Sequence, residues 1–138
     1  MKTLKILTVS LMVVALGAML TSMTPQRQKA PEPWEVPAKD SKMVNPVKAA
    51  DASVKAGMIA YKKYCASCHG KTGLGDGVKA RGLKTFPGDF SGAAYQGQTD
   101  GDHFYKTKFG RGEMPKYENK ISDTDMWNMV NYMRTFKK

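Results

Sequence analysis

Cysteine and histidine are scarce in this chain of 138 residues: Cys65, Cys68, His69 and His103 are all it has. That scarcity excludes some chemistries. A structural zinc site draws four protein ligands from a larger Cys/His set, and the adjacency of Cys68 and His69 is poor geometry for two corners of one tetrahedron. A thioredoxin-like thiol pair needs a βαβ setting, yet no stretch before Cys65 alternates as a strand. Gly70-Lys71-Thr72 ends like a phosphate-binding loop, but Cys65 stands where that loop needs its first glycine, so the nucleotide reading falls. Strand alternation is missing from the rest of the chain as well, which leaves an all-α fold.

What is there begins with Cys65-Ala66-Ser67-Cys68-His69. The spacing C-x-x-C-H is that of covalent c-type haem attachment. Two thiols three residues apart can each form a thioether with one vinyl group of a haem. The histidine beside the second thiol is then held against the iron as its proximal ligand. A structural disulfide between Cys65 and Cys68 would leave His69 unexplained. The expectation is one haem c, attached through Cys65 and Cys68, with His69 on the iron.

The N-terminal residues 1–23 read as a signal peptide or membrane anchor. Lys2 and Lys5 precede a nearly apolar run from Ile6 to Leu20, a charged n-region followed by an h-region. Ala15-Leu16-Gly17 offers small residues for a signal peptidase. Uncleaved, Leu4 to Met23 is about as long as a bilayer-spanning helix. No cysteine is present there to carry a lipid. Either way the domain is expected in the periplasm, free or tethered to the inner membrane. Lys+Arg number 22 and Asp+Glu 12, a net charge of +10. On an exported protein this points to an acidic redox partner or an anionic membrane face, with no nucleic acid implied.

Residues 24–51 form a proline-rich arm with Pro25, Pro31, Pro33, Pro37 and Pro46. Such a run disfavours helix and favours extended chain. It reads either as a strap that lays Trp34 on the domain or as a spacer from the membrane. Beyond it, Ser53 to Cys68 has helical periodicity through Val54, Gly57, Met58, Tyr61 and Cys68, with Lys55, Lys62 and Lys63 on the other side. Gly57 is a weak helix former, so its place mid-helix predicts close approach of another backbone. A glycine-rich loop follows the motif, suited to tight turns around a flat cofactor. Capping signals at Thr99–Asp102 and Ser122–Asp125 open two more helices, the first ended by Gly110.

The second iron ligand has to come from elsewhere. Of the ten methionines, Met58, Met126, Met129 and Met133 lie on helical stripes and read as core. Met1, Met12, Met19 and Met23 belong to the export segment and Met43 to the arm. Met114 differs, because it lies in a glycine-rich loop where Pro115 prevents helix. A thioether there can face the iron. His103 is the rival, but Asp102 and Lys106 beside it predict that it faces solvent.

From about Ala52 to the C-terminus the chain resembles a class I cytochrome c. The signature C-A-S-C-H-G closes the first helix, with Gly57 eight and Tyr61 four residues before the first cysteine. Met129 and Tyr132 resemble the apolar and aromatic positions of the family's last helix, and Met114-Pro115 its distal loop. Phe86-Pro87-Gly88-Asp89-Phe90 resembles, with altered spacing, the segment whose proline carbonyl receives the proximal histidine's N–H. The arm has no counterpart. The resemblance implies an all-α cytochrome c fold over residues 52–138, first and last helices crossing, and one His/Met-ligated haem bound by Cys65, Cys68, His69, Met114 and Pro87. It implies an electron carrier rather than an enzyme, serving exported or membrane-bound respiratory partners. The alternatives are a haem subunit of a larger redox complex or, were Met114 not the ligand, an open-site sensor or peroxidase.

Overall fold

A computed structural model describes residues 28–138. The expected signal or anchor segment, residues 1–23, and arm residues 24–27 lie outside the described residues. Among the described residues six α-helices follow in order: α1 Ala38–Ser41, α2 Asp51–Tyr64, α3 Ala66–His69, α4 Ala93–Gln96, α5 Asp100–Phe109 and α6 Asp123–Arg134. A 3-10 turn lies at Ala80–Gly82. Among the described residues the extended pairings are two isolated bridges, Lys29 with Thr85 and Arg111 with Met114. No described helix is long and apolar enough to cross a membrane.

The crossing of α2 and α6 organises the molecule. Gly57 sits where a Cβ would stand 2.0 Å from the Asn128 carbonyl oxygen and 2.9 Å from the Met129 nitrogen. The two backbones therefore touch, and only glycine lets them. This is the close approach expected of a mid-helix glycine, and it falls near the expected Met129. Met126, Met129, Val130 and Met133 of α6 are buried as their stripe predicts, and Trp127 joins them. Full burial of such side chains stabilises by about 1.5–3 kcal/mol each. Tyr61 is fully buried beneath the crossing, edge-on to Tyr132 and Phe136, and its hydroxyl donates to the Gly70 carbonyl. Burial, with Cys65, Tyr132 and Asp76 adding to it, pushes its phenol well above the usual range and keeps the hydroxyl a donor.

The single helix expected over 53–68 is two. It begins earlier, at Asp51, because Ser53 accepts from the Ala50 amide and so closes the N-terminus. It breaks at Cys65, and α3 then turns the motif residues on a fresh axis. Both predicted caps form. Thr99 Oγ1 accepts from the Asp102 amide while the Asp102 carboxylate accepts from the Thr99 amide. Ser122 Oγ accepts from the Asp125 amide. Gly110 ends α5 at a φ of 60°.

The arm lies on the domain. Asn45 donates to the Asn131 side chain and to the Trp127 carbonyl of α6, and Asn131 donates to the Val47 carbonyl. Helix α1 packs on α5, where Gly101 leaves room for the Asp40 and Ser41 carbonyls.

Candidate haem-binding site

Helix α3 with the end of α2, the arm, and two later segments at 83–87 and 111–117 enclose a cavity of about 460 Å³, within the range of about 300–1,000 Å³ usual for small-molecule sites. Cys65, Cys68, His69, Pro87 and Met114 all line it. The chain brings these five together from three separate segments. His103 does not line it.

The motif is held by backbone bonds around it. The His69 amide donates to the Cys65 carbonyl, the Gly75 amide to the His69 carbonyl and the Gly77 amide to the Cys68 carbonyl. The loop thus folds back on α3, and Gly75 adopts a φ of 73° to allow it. Neither thiol is in a disulfide. Burial, helped by the neighbouring Cys68, pushes the Cys65 thiol up to about 12, so it stays protonated at neutral pH.

His69 carries the decisive polar feature. Its Nδ1 is buried and has no partner in hydrogen-bond geometry. Burial lowers its pKa to about 4, and the Pro87 carbonyl, the nearest favourable group, opposes that only in part. Proline has no N–H, so Pro87 can only accept. Its carbonyl favours a protonated ring without forming a full hydrogen bond to it. A neutral imidazole facing a cavity, with its other nitrogen beside a carbonyl, is the state in which histidine ligates metals. Phe90 backs the ring, with centroids 4.5 Å apart, and Tyr95 stacks behind Phe90 at 4.1 Å.

Met114 enters from the other loop. Gly110 and Gly112 adopt φ near 60°, and the Arg111 and Met114 backbones exchange two hydrogen bonds of 2.9 and 3.0 Å. This tight turn presents a half-buried Met114 to the cavity. The Met129 sulfur lies 4.0 Å from Cys65 Sγ, but Met129 is fully buried core as expected and does not line the cavity.

A family model described as cytochrome C oxidase, cbb3-type, subunit III matches residues 52–133. The chain belongs to this family. It is a c-type cytochrome, and its cofactor is covalent haem c. No curated protein matches the sequence. Several solved structures are similar to it, two of which differ in coverage. One is the Kuenenia stuttgartiensis reducing HAO-like protein complex Kustc0457/Kustc0458, at 24% identity and a TM-score of 0.59, covering 67% of this chain and 47% of that one. The other is the KustC0563 c-type cytochrome, at 27% identity and a TM-score of 0.53, covering 59% of this chain and 98% of that one. The cytochrome thus spans about half the length of the first and nearly all of the second. The helical fold agrees with both. Two thiols free to form thioethers, and an orphaned histidine nitrogen beside a carbonyl, fit the haem that the family implies.

One expectation is corrected. His103 does not face solvent: it is 2% exposed, stacked on Tyr95 with centroids 4.1 Å apart, and its Nε2 is unpaired. Sequence reasoning also missed part of the cavity wall. Lys29, Pro31, Glu32 and Trp34 of the arm line it, as do Arg111 and Tyr117. The alternation of prolines around Trp34 was the available signal, since an extended chain with one large apolar group is suited to lie across an apolar opening.

Proposed function

We propose that this cytochrome is an exported one-electron carrier whose haem iron is held by His69 and Met114. The observation that carries the reading is that Met114 lines the same cavity as Cys65, Cys68 and His69. The haem would supply the ferrous/ferric couple. Cys65 and Cys68 hold it in place, and His69 offers its neutral ring with Pro87 as acceptor for Nδ1. The Met114 thioether, a soft donor, favours the reduced metal and closes the remaining position to outside ligands. That closure argues for a carrier over a sensor or peroxidase. Exposed Lys62, Lys63, Lys71 and Lys116 lie within two residues of cavity-lining residues in the chain and would steer an acidic redox partner in the periplasm.

The test is Met114→Ala in the holoprotein. It should abolish the far-red absorption band of a thioether-ligated ferric haem, lower the potential and open the ferrous iron to carbon monoxide. Met58→Leu, a swap of similar volume on α2, should change none of these. An unchanged spectrum in Met114→Ala would defeat the proposal.

A second reading is a haem subunit docked in a larger redox complex, possessing the same chemistry. The family description names an oxidase subunit, and one similar structure is titled as a complex. Co-purification of stoichiometric partners from mildly solubilised membranes would favour it.

A further inference from the structure

Three segments meet around the cavity, and each is tied to the other two. The arm is bound to residues 83–86: the Lys29 amide donates to the Lys84 carbonyl at 3.2 Å, the Phe86 amide to the Lys29 carbonyl at 3.0 Å, and the Gln28 side chain to the Leu83 carbonyl at 3.0 Å. Residues 83–86 are bound to the Met114 loop through Glu113, whose carboxylate accepts from the Lys84 amide at 3.0 Å and the Thr85 amide at 3.1 Å. The Met114 loop is bound back to the arm through Arg111. Its two terminal nitrogens donate to the Pro33 and Glu32 carbonyls, both at 2.8 Å, and its guanidinium lies 4.6 Å from the centre of the Trp34 ring. The result is a closed collar, built partly from residues outside the stretch that matches the family.

Arg111 and Glu113 belong to the turn that presents Met114, one on each side of Gly112, and both are exposed rather than part of the core. We propose that they are positioning residues, clamping that turn to residues 83–86 on one side and to the arm on the other, so that the Met114 sulfur would stay on the iron of a bound haem. The proposal rests on the reading of Met114 as axial ligand. An isolated turn with glycines at 110 and 112 has many conformations open to it. Two charged side chains of the turn, each bonded to the backbone of a different segment, remove them, and such charge-assisted bonds are worth more than neutral ones. The carboxylate spans two successive amides, and the guanidinium fork two successive carbonyls, a geometry that lysine does not reproduce.

The experiment compares Glu113→Ala, Glu113→Gln, Arg111→Gln and Arg111→Lys with the wild-type holoprotein. Glu118→Ala, an exposed site on the following loop, is the control. Glu113→Ala and Arg111→Gln should weaken the far-red band and raise the rate of carbon monoxide binding by about tenfold, as loss of hydrogen bonds to a charged group would. Glu113→Gln, which keeps an acceptor, should restore part of the band, whereas Arg111→Lys should not. Amide exchange at Lys84 and Thr85 should quicken in Glu113→Ala alone, a readout independent of the haem. If Met114→Ala removes the band but the Glu113 and Arg111 variants match the control, the clamp is refuted and the ligand stands. If wild type and Met114→Ala have the same spectrum, the ligand reading fails and the clamp falls with it.

Discussion

At the scale of single residues, His103 has a consequence for pH dependence. Burial lowers its pKa from an ordinary 6.5 to about 3, Arg134 and Lys106 push the same way, and Asp102 and a backbone bond to Tyr95 oppose them. The unfolded chain takes up a proton on this ring below about pH 6.5, which the folded chain refuses until about pH 3. In that window the unfolded state binds more protons, so stability falls as pH falls, by up to about 1.4 kcal/mol per pH unit. Above pH 6.5 the residue contributes no slope. His103→Phe keeps a flat ring against Tyr95 but cannot titrate. Urea unfolding at pH 6.5, 5.5 and 4.5 should show a shallower acid-side loss in this variant, and an equal slope would contradict the assignment. The misreading of His103 has a physical origin. Asp102 points a different way around α5, to cap Thr99. Lys106 lays its stem inward and carries its amine to the Gln98 side chain and over Trp34. Polar neighbours in sequence therefore did not report exposure. That Cys65, Cys68 and His69 would share a cavity was legible because their chemistry requires contiguous spacing, and that Met114 would line it because glycine and proline set it apart from nine other methionines.

At the scale of elements, the α2–α6 crossing makes a sharp test of packing against propensity. Gly57→Ala gains about 1 kcal/mol of intrinsic helix propensity. Against that, the new Cβ would lie 2.0 Å from a backbone oxygen of Asn128, which cannot swing aside as a side chain can. Overpacking of this kind costs about 1–3 kcal/mol, and a backbone clash belongs at the upper end. The net expectation is a loss of about 1–2 kcal/mol, read as a lower midpoint in urea. A gain in stability would mean that the helices separate without cost. Helix ends at Thr99, Gly110 and Ser122 could be read locally, because caps are short-range chemistry. The break at Cys65 could not. It depends on the loop to Gly77 folding back on α3, and those bonds connect residues whose proximity no periodicity encodes.

At the scale of the whole molecule, the sequence left the arm open between strap and spacer, since proline-rich chain extends in either case. Long-range bonds decide its course: Asn45 to α6, Lys29 to Lys84 and Phe86, and Arg111 to Pro33. Charge, by contrast, was legible from composition, and its placement yields the last prediction. Lys62 and Lys63 precede cavity-lining Tyr64, Lys116 follows cavity-lining Pro115, and Lys63 extends over the Tyr64 ring at 4.9 Å. Reversing Lys63 and Lys116 together to Glu should cut the association rate with an acidic redox protein by about tenfold at low salt, within the range of electrostatic steering. The effect should shrink as ionic strength shortens the Debye length from about 30 Å at 0.01 M to about 8 Å at 0.15 M. Lys39→Glu, on α1 against α5, changes the net charge without touching the cavity rim and should slow association much less. The haem potential should stay near that of wild type in all these variants, because exposed charges are screened. Stopped-flow rates against salt separate the cases. If Lys39→Glu slowed association as much as the rim reversal does per charge, total charge rather than a docking face would govern the encounter.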